Sequence, residues 1–302
     1  MTQTLYTHKD SNIRKTWFIF TLFLLLVIGL GYFLSWYFNS PDILYVAVIF
    51  AFFQSFISYW FSHKIVLSMT GAKEIKKEEH RDLWNIVENL SITAGLPMPK
   101  IYIINDSVPN AFATGRNQKH AVVAVTSGLL DILDKTELEG VIAHELSHIG
   151  NRDMLVSTIV VVLVGFLTIL SDFFIRANLF GGGNREERNG DGRIQMIVMI
   201  LGFVLMLLSP LIATLIQLSI SRKREFLADT SGALLTRYPE GLASALLKIS
   251  ASSGKMKKAS HATAHLFISN PFGAENKSSW FSNLWSTHPP VEERVKRLRD
   301  VN

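Results

Sequence analysis

The chain has no cysteine. That excludes disulfides, thiolate metal ligands and a cysteine nucleophile, and leaves His, Asp and Glu as the strong metal-binding side chains. Charge is sparse too: 18% of residues are Asp, Glu, Lys or Arg against 48% hydrophobic, with mean hydropathy +0.25. Such a chain is too apolar for an ordinary soluble enzyme and charged enough to carry soluble parts. The net charge is +5 and the pI about 9.3. No basic-aromatic recognition motif accompanies that charge, so an anionic membrane surface suits it better than nucleic acid.

Charge is missing altogether from residues 17–38 and 43–61. Each stretch is long enough to cross a ~30 Å hydrocarbon layer. Trp17, Trp36 and Tyr37 sit at the ends of the first, as interfacial aromatics do. Arg14 and Lys15 precede it in the manner of a signal peptide, but the run exceeds a typical h-region and no Ala-x-Ala site follows. A retained anchor is expected. The tip at 39–42 lacks Lys and Arg, whereas Lys9, Arg14 and Lys15 lie before the hairpin and Lys64, Lys73, Lys76 and Lys77 after it. Both ends of the hairpin therefore face the cytoplasm by the positive-inside rule. Residues 154–171 and 194–220 form a second apolar pair, the latter with Pro210 as a kink. The Gly-rich loop between them, 176–193, carries four Arg against that rule. A re-entrant or surface-lying hairpin is the competing reading of this pair. Four parts follow: an N-terminal hairpin at 1–61, a cytoplasmic segment at 62–153, a second hairpin at 154–220 and a cytoplasmic segment at 221–302.

The soluble segments hold the chemistry. In 62–153 the pattern predicts an amphipathic helix over 76–94, with Leu83, Ile86, Val87 and Leu90 on one face. Short β-rich runs at 100–105 and 121–126 flank 110–114. Then comes ELEGVIAHELSHIGNRD at 137–153, a helix-favouring run with Thr136 as an N-cap candidate. It contains H-E-x-x-H, from His144 to His148. Only about 0.01 such motifs are expected by chance in this composition, so the pattern outweighs a surface helix that happens to hold two His. Positions four apart share a helical face, which lets His144 and His148 grip one Zn²⁺ with Glu145 beside the metal-bound water. His261 and His265 are also four apart, but their Ser/Ala/Lys-rich surroundings predict solvated side chains.

A catalytic zinc usually takes a third protein ligand. Glu225, in SRKREFLAD at 221–229, is the best candidate, with Asp229 one turn on; the plain alternative is a charged juxtamembrane cap. His148 and Glu225 each lie within ~10 Å of a membrane boundary at ~1.5 Å rise per residue. A hairpin that starts and finishes on one side would bring them together. The expected fold is mainly α with a small sheet, an integral membrane protein with about four transmembrane helices and a cytoplasmic zincin-like domain.

PNAFATG (109–115), AHELSHIGNRD (143–153), SRKREFLAD (221–229) and THPPVEER (287–294), in that order along the chain, resemble the HtpX family of membrane zinc metallopeptidases. These are the heat-shock-associated bacterial relatives of the CaaX prenyl-protein endopeptidase. The resemblance implies one zinc per chain held by His144, His148 and Glu225, with Glu145 as catalytic base. It places Asn110, His288 and Arg294 along the cleft and the protein in the bacterial inner membrane with its active site on the cytoplasmic side. His288 is then the candidate oxyanion donor with Arg294 supporting it, or else a loop histidine before a rigid Pro-Pro turn. Asp229 either orients a ligand imidazole or answers Arg222, and Asp153 either holds the end of the motif helix or is an interfacial acid. Asn110, Ala111 and Phe112 are expected to bind substrate along an edge strand, or to form an ordinary sheet edge.

The partners expected are polypeptides, membrane proteins among them, and the lipid bilayer, with no nucleic acid; the sequence sets no oligomeric state. The resemblance implies removal of misfolded or damaged membrane proteins. A processing protease for a defined or lipidated substrate is one alternative. A non-enzymatic scaffold or carrier is the other, disfavoured because carriers place ionisable groups inside their spans.

Overall fold

A computed structural model of the chain describes residues 5–165, 222–252, 254–260, 262–273 and 289–300. The second apolar pair beyond Gly165, its Gly-rich loop, His261 and His288 lie outside these residues.

Two long helices, α1 (Leu5–Phe38) and α2 (Pro41–Thr70), pack as a hairpin. Asn39 takes the left-handed conformation at the corner, φ 50°, which Asn tolerates better than most residues. Pro41 then opens α2, where no backbone N–H is needed. A Cβ on Gly31 would stand 2.3 Å from that of Ala47, so the helices touch only because one residue is glycine. Phe18, Leu25, Tyr32, Trp36, Ile49 and Phe53 all face outward. Such an apolar surface is what lipid covers, and among the described residues these two helices are long and apolar enough to span a bilayer. Both overrun the uncharged stretches; α2 carries Lys64 and ends only at Thr70, capped by Gly71 at φ 70°.

The chain then builds a mixed four-stranded sheet from β1 (Lys73–Glu74), β2 (Lys100–Ile104), β3 (Ala111–Gly115) and β4 (Ala121–Thr126), in the order β1-β2-β4-β3. β2 and β4 run parallel, and the two outer pairings are antiparallel. β4, all Val, Ala and Thr, is buried along its whole length, as a central strand covered on both faces must be. The amphipathic helix α3 (Arg81–Thr93) begins later than residue 76. Residues 76–79 close a turn instead, in which Glu79 accepts the Lys76 N–H at 2.8 Å.

Helix α4 (Ser127–Ile132) is capped by the Thr126 hydroxyl, and α5 (Lys135–Asn151) carries H-E-x-x-H. Its N-cap is Asp134, not Thr136. Asp134 accepts the Glu137 N–H, and Glu137 reaches back to the Asp134 N–H at 2.9 Å, a reciprocal capping box. Thr136 lies inside the first turn and donates to Asp134 Oδ1 at 2.7 Å. Capping is worth about 1 kcal/mol and positions only the start. The helix is held by Val141, Ile142, Leu146 and Ile149, all within 1% of full burial and each worth about 1.5–3 kcal/mol.

At Arg152, φ 58°, the chain turns the corner into α6 (Asp153–Gly165), bent 85° from α5. Val156, Ile159, Val160 and Leu163 of α6 pack on Ile19, Phe20 and Phe23 of α1. This helix qualifies as a span only if α5 and α6 are counted together as one bent unit. Helices α7 (Arg222–Thr236), α8 (Pro239–Ala251) and α9 (Val291–Arg299) complete the fold. α5 packs against β3 and β4 as well as against α7 and α8.

Candidate metal centre and active site

His144 and His148 lie one helical turn apart on α5, their rings nearly perpendicular with centroids 4.7 Å apart. Glu225, in the first described turn of α7, faces both. Its Oε2 lies 3.9 Å from His144 Nε2 and its Oε1 3.6 Å from His148 Nε2. Ligand atoms of all three residues fall within 4.8 Å of one another. The two Nε2 atoms are 3.1 Å apart. Two imidazole nitrogens sharing one tetrahedral ion at 2.0–2.1 Å stand about 3.3 Å apart. The donor set therefore fits a divalent ion in chemistry and in spacing.

Each imidazole is oriented from behind. His144 Nδ1 lies 2.9 Å from Asp229 Oδ1, and His148 Nδ1 lies 3.2 Å from Asp153 Oδ2. A carboxylate at Nδ1 fixes the proton there and leaves Nε2 as the ligand atom. Asp229 is gripped in turn by Arg294, whose Nε and Nη2 donate to its two oxygens at 2.9 and 2.6 Å. Arg294 Nη2 also comes within 3.5 Å of His144 Nδ1, but two N–H donors meet there, so this is proximity rather than a bond.

Burial pulls His144 down to about 4, opposed by Asp229 and assisted by His148 and Arg294. For His148 burial acts in the same direction but loses. The Asp153 hydrogen bond and the charges of Glu225, Asp153 and Glu145 lift it to about 9. An ion taken up there competes with that proton, because a ligating imidazole must be neutral. Burial alone would raise Asp229, yet the charges and hydrogen bonds of Arg294 and His144 hold it at about 2. The carboxylate is ionised and Arg294 neutralises it.

A family model described as "Peptidase family M48" matches residues 77–302. The chain belongs to peptidase family M48. Curated relatives named "Protease HtpX homolog" place it in the HtpX branch of that family. The one from Caldanaerobacter subterraneus is 44% identical over 301 residues, covering 99% of this chain and 98% of that protein. Those from Thermoanaerobacter pseudethanolicus and Pyrococcus furiosus are 45% and 47% identical, over 99% and 91% of this chain and 98% and 91% of theirs. A crystal structure of S. mikatae Ste24p aligns with TM-score 0.49 and 20% identity, covering 94% of this chain and 66% of that one. An M48 member is a metallopeptidase, and the two exposed apolar helices make this one a membrane protein.

Several residues expected at or near this M48 site have partners or surroundings that the sequence did not settle. Arg294, expected beside an oxyanion donor, is 1% exposed and committed to Asp229. Asp229 answers Arg294 and His144 rather than Arg222. Asn110, Ala111 and Phe112 do lie at a sheet edge, but all three are fully buried. The Asn110 amide donates to Ser269 O at 2.9 Å and accepts from Ser269 N at 3.2 Å. Phe112 packs edge-on against Phe267, and Ala111 O accepts the Ile268 N–H at 2.9 Å. Residues 267–269 of the chain itself thus cover that end of the edge. His265, expected in solvent, is buried and its Nε2 sits 3.2 Å from Ser157 O in α6. Its partner is more than a hundred residues away, beyond the reach of local composition.

One contributor escaped the sequence reading. A Cβ on Gly232 would stand 3.0 Å from the His144 backbone nitrogen, so glycine there lets α7 lie directly against the motif turn. Its position three residues after Asp229, on the same helical face, was the available signal.

Proposed function

We propose that the chain is a zinc-dependent endopeptidase of the bacterial inner membrane that hydrolyses misfolded or damaged membrane proteins, with its active site on the cytoplasmic side. The observation that carries the catalytic part is the convergence of His144, His148 and Glu225, each imidazole backed by a carboxylate. The basic residues flanking the first hairpin and the short distance from α1 to the site support the location. The four-part layout, with cytoplasmic segments at 62–153 and 221–302 following two hairpins, belongs to the same proposal.

His144, His148 and Glu225 hold the ion. Zinc bound there supplies Lewis acidity and lowers the pKa of a water toward ~7. Glu145, adjacent to His144 and buried, accepts a proton from the attacking water and returns it to the departing amine nitrogen. Asp229 and Asp153 keep the imidazoles oriented, and Arg294 keeps Asp229 ionised in place. His288 is assigned as the oxyanion donor on its THPPVEER motif. Backbone pairing of an extended substrate along β3 beyond Ala111 belongs to the same proposal; the next residue on that edge by register is Ala113, which is itself buried. Backbone pairing reads little side-chain identity, which suits an enzyme for damaged proteins. A processing role on a defined substrate remains the second reading and predicts one preferred cleavage site in place of many.

Removing metal tests the proposal. A tight chelator should abolish cleavage of casein or of a destabilised membrane protein by the purified full chain, and one equivalent of zinc should restore it. Cleavage that persists in metal-free protein would end the zinc reading. Asp229→Asn is expected to weaken zinc binding about 10–100-fold. It removes the charge that balances buried Arg294 and loosens His144. Competition against a chromogenic chelator measures the change, and unaltered affinity would relieve Asp229 of its role.

A further inference from the structure

We propose that Asn12, at the start of the first membrane helix, is a positioning residue whose carboxamide ties the anchor to both ligand-bearing segments of the metal centre. The inference rests on the metallopeptidase reading above. Asn12 lies outside the 77–302 match to the M48 model, so the anchor completes a site that the peptidase region alone leaves partly unsupported.

The face of α1 turned toward α6 is Asn12, Thr16, Ile19, Phe20 and Phe23, all buried. Apolar packing explains the last three. It does not explain an amide that is 2% exposed. Asn12 Nδ2 donates to Asp153 Oδ1 at 2.7 Å and to Asn151 O at 3.1 Å, and its Oδ1 accepts from Arg224 Nη1 at 3.4 Å. The other oxygen of Asp153 faces His148 Nδ1 at 3.2 Å, and Arg224 immediately precedes Glu225. One side chain on α1 thus reaches His148 through Asp153 and the Glu225 segment through Arg224.

Only an amide satisfies this position. It needs two donors and one acceptor at the same end of a short side chain. Leu has the shape without the hydrogen bonds, and would leave a buried carboxylate oxygen without its closest donor. Asp would set a second negative charge against Asp153 and forfeit both donors. In either case Asp153 is drawn toward Arg224, 3.5 Å away, and away from His148. The α1–α6 contacts of Ile19, Phe20 and Phe23 are untouched, so the anchor stays docked.

The test uses the full-length protein in detergent micelles, with zinc as the titrant against a chromogenic chelator. Asn12→Leu should weaken zinc binding about 10–100-fold, the range for losing support behind a ligand, and lower kcat at saturating zinc with KM for casein within about twofold. Thr16→Val is the control. Its hydroxyl bonds the Asn12 carbonyl one turn away on the same face, and it should leave zinc affinity at the wild-type value. Asn12→Asp should also bind zinc weakly. Its carboxylate can keep the contact to Arg224 but loses both donors, to Asp153 and to the Asn151 carbonyl. Wild-type affinity in Asn12→Leu would overturn the proposal, as would Thr16→Val weakening zinc equally. Should Asn12→Leu not fold, wild-type zinc affinity in Asn12→Asp would overturn it as well. These affinities do not depend on proteolysis, so failure of the peptidase reading shows separately, in undiminished turnover by Glu145→Gln.

Discussion

Glu145→Gln loses casein hydrolysis by on the order of 10³–10⁴-fold and keeps its zinc. The magnitude follows from removing the general base, whose contribution is typically 10²–10⁴-fold, together with the acid step that the same group performs in reverse. Glutamine preserves the side chain's volume in a buried position, so the helix is unaffected. It cannot take a proton from water at neutral pH. The residues that could hold the ion are His144, His148 and Glu225, none of which is altered. Zinc content of the purified variant should therefore stay near one per chain while turnover vanishes. Hydrolysis at the wild-type rate would remove Glu145 from the mechanism. Loss of zinc would show that the carboxylate has a structural task instead.

Glu225→Ala gives the second large effect, and by another route: the ion itself leaves. With the carboxylate gone, two imidazoles remain, one short of the usual three protein ligands. The charge that most directly faces both Nε2 atoms is removed at the same time. Metal analysis should find the variant empty after dialysis against buffer, with turnover at background. Full occupancy would move the third ligand elsewhere. The same geometry makes a topological demand, because residues 144 and 225 must face one compartment. Accessibility tags reporting opposite sides of the bilayer would contradict the shared ion whatever the mutant does.

Much of this site could be read from residue spacing because its main parts are local. H-E-x-x-H on a helix sets two imidazoles on one face whatever surrounds it. The pairing with Glu225 followed from the short distance of each ligand from an apolar run, and the 3.6 Å contact between Glu225 and His148 agrees with it. Where local signals were misread, a stronger one lay nearby. Asp134 with Glu137 makes a capping box that Thr136 cannot match, and Glu79 closes a turn just where a longer helix was expected.

The supporting partners are of another kind. Arg294 reaches Asp229 across 65 residues, and Asn12 reaches Asp153 across 141. No periodicity connects such positions. A PNAFATG segment reads equally well as a substrate edge or as a buried strand until residues 267–269 are seen lying against it. By itself the sequence determined the pair of long apolar helices and the helix bearing two imidazoles, and it offered Glu225 as a candidate, because hydrophobic run length and helical repeat are properties of neighbouring residues. Only the tertiary structure decided what stands behind each ligand, because hydrogen bonds between buried groups far apart in the chain depend on where the backbone travels.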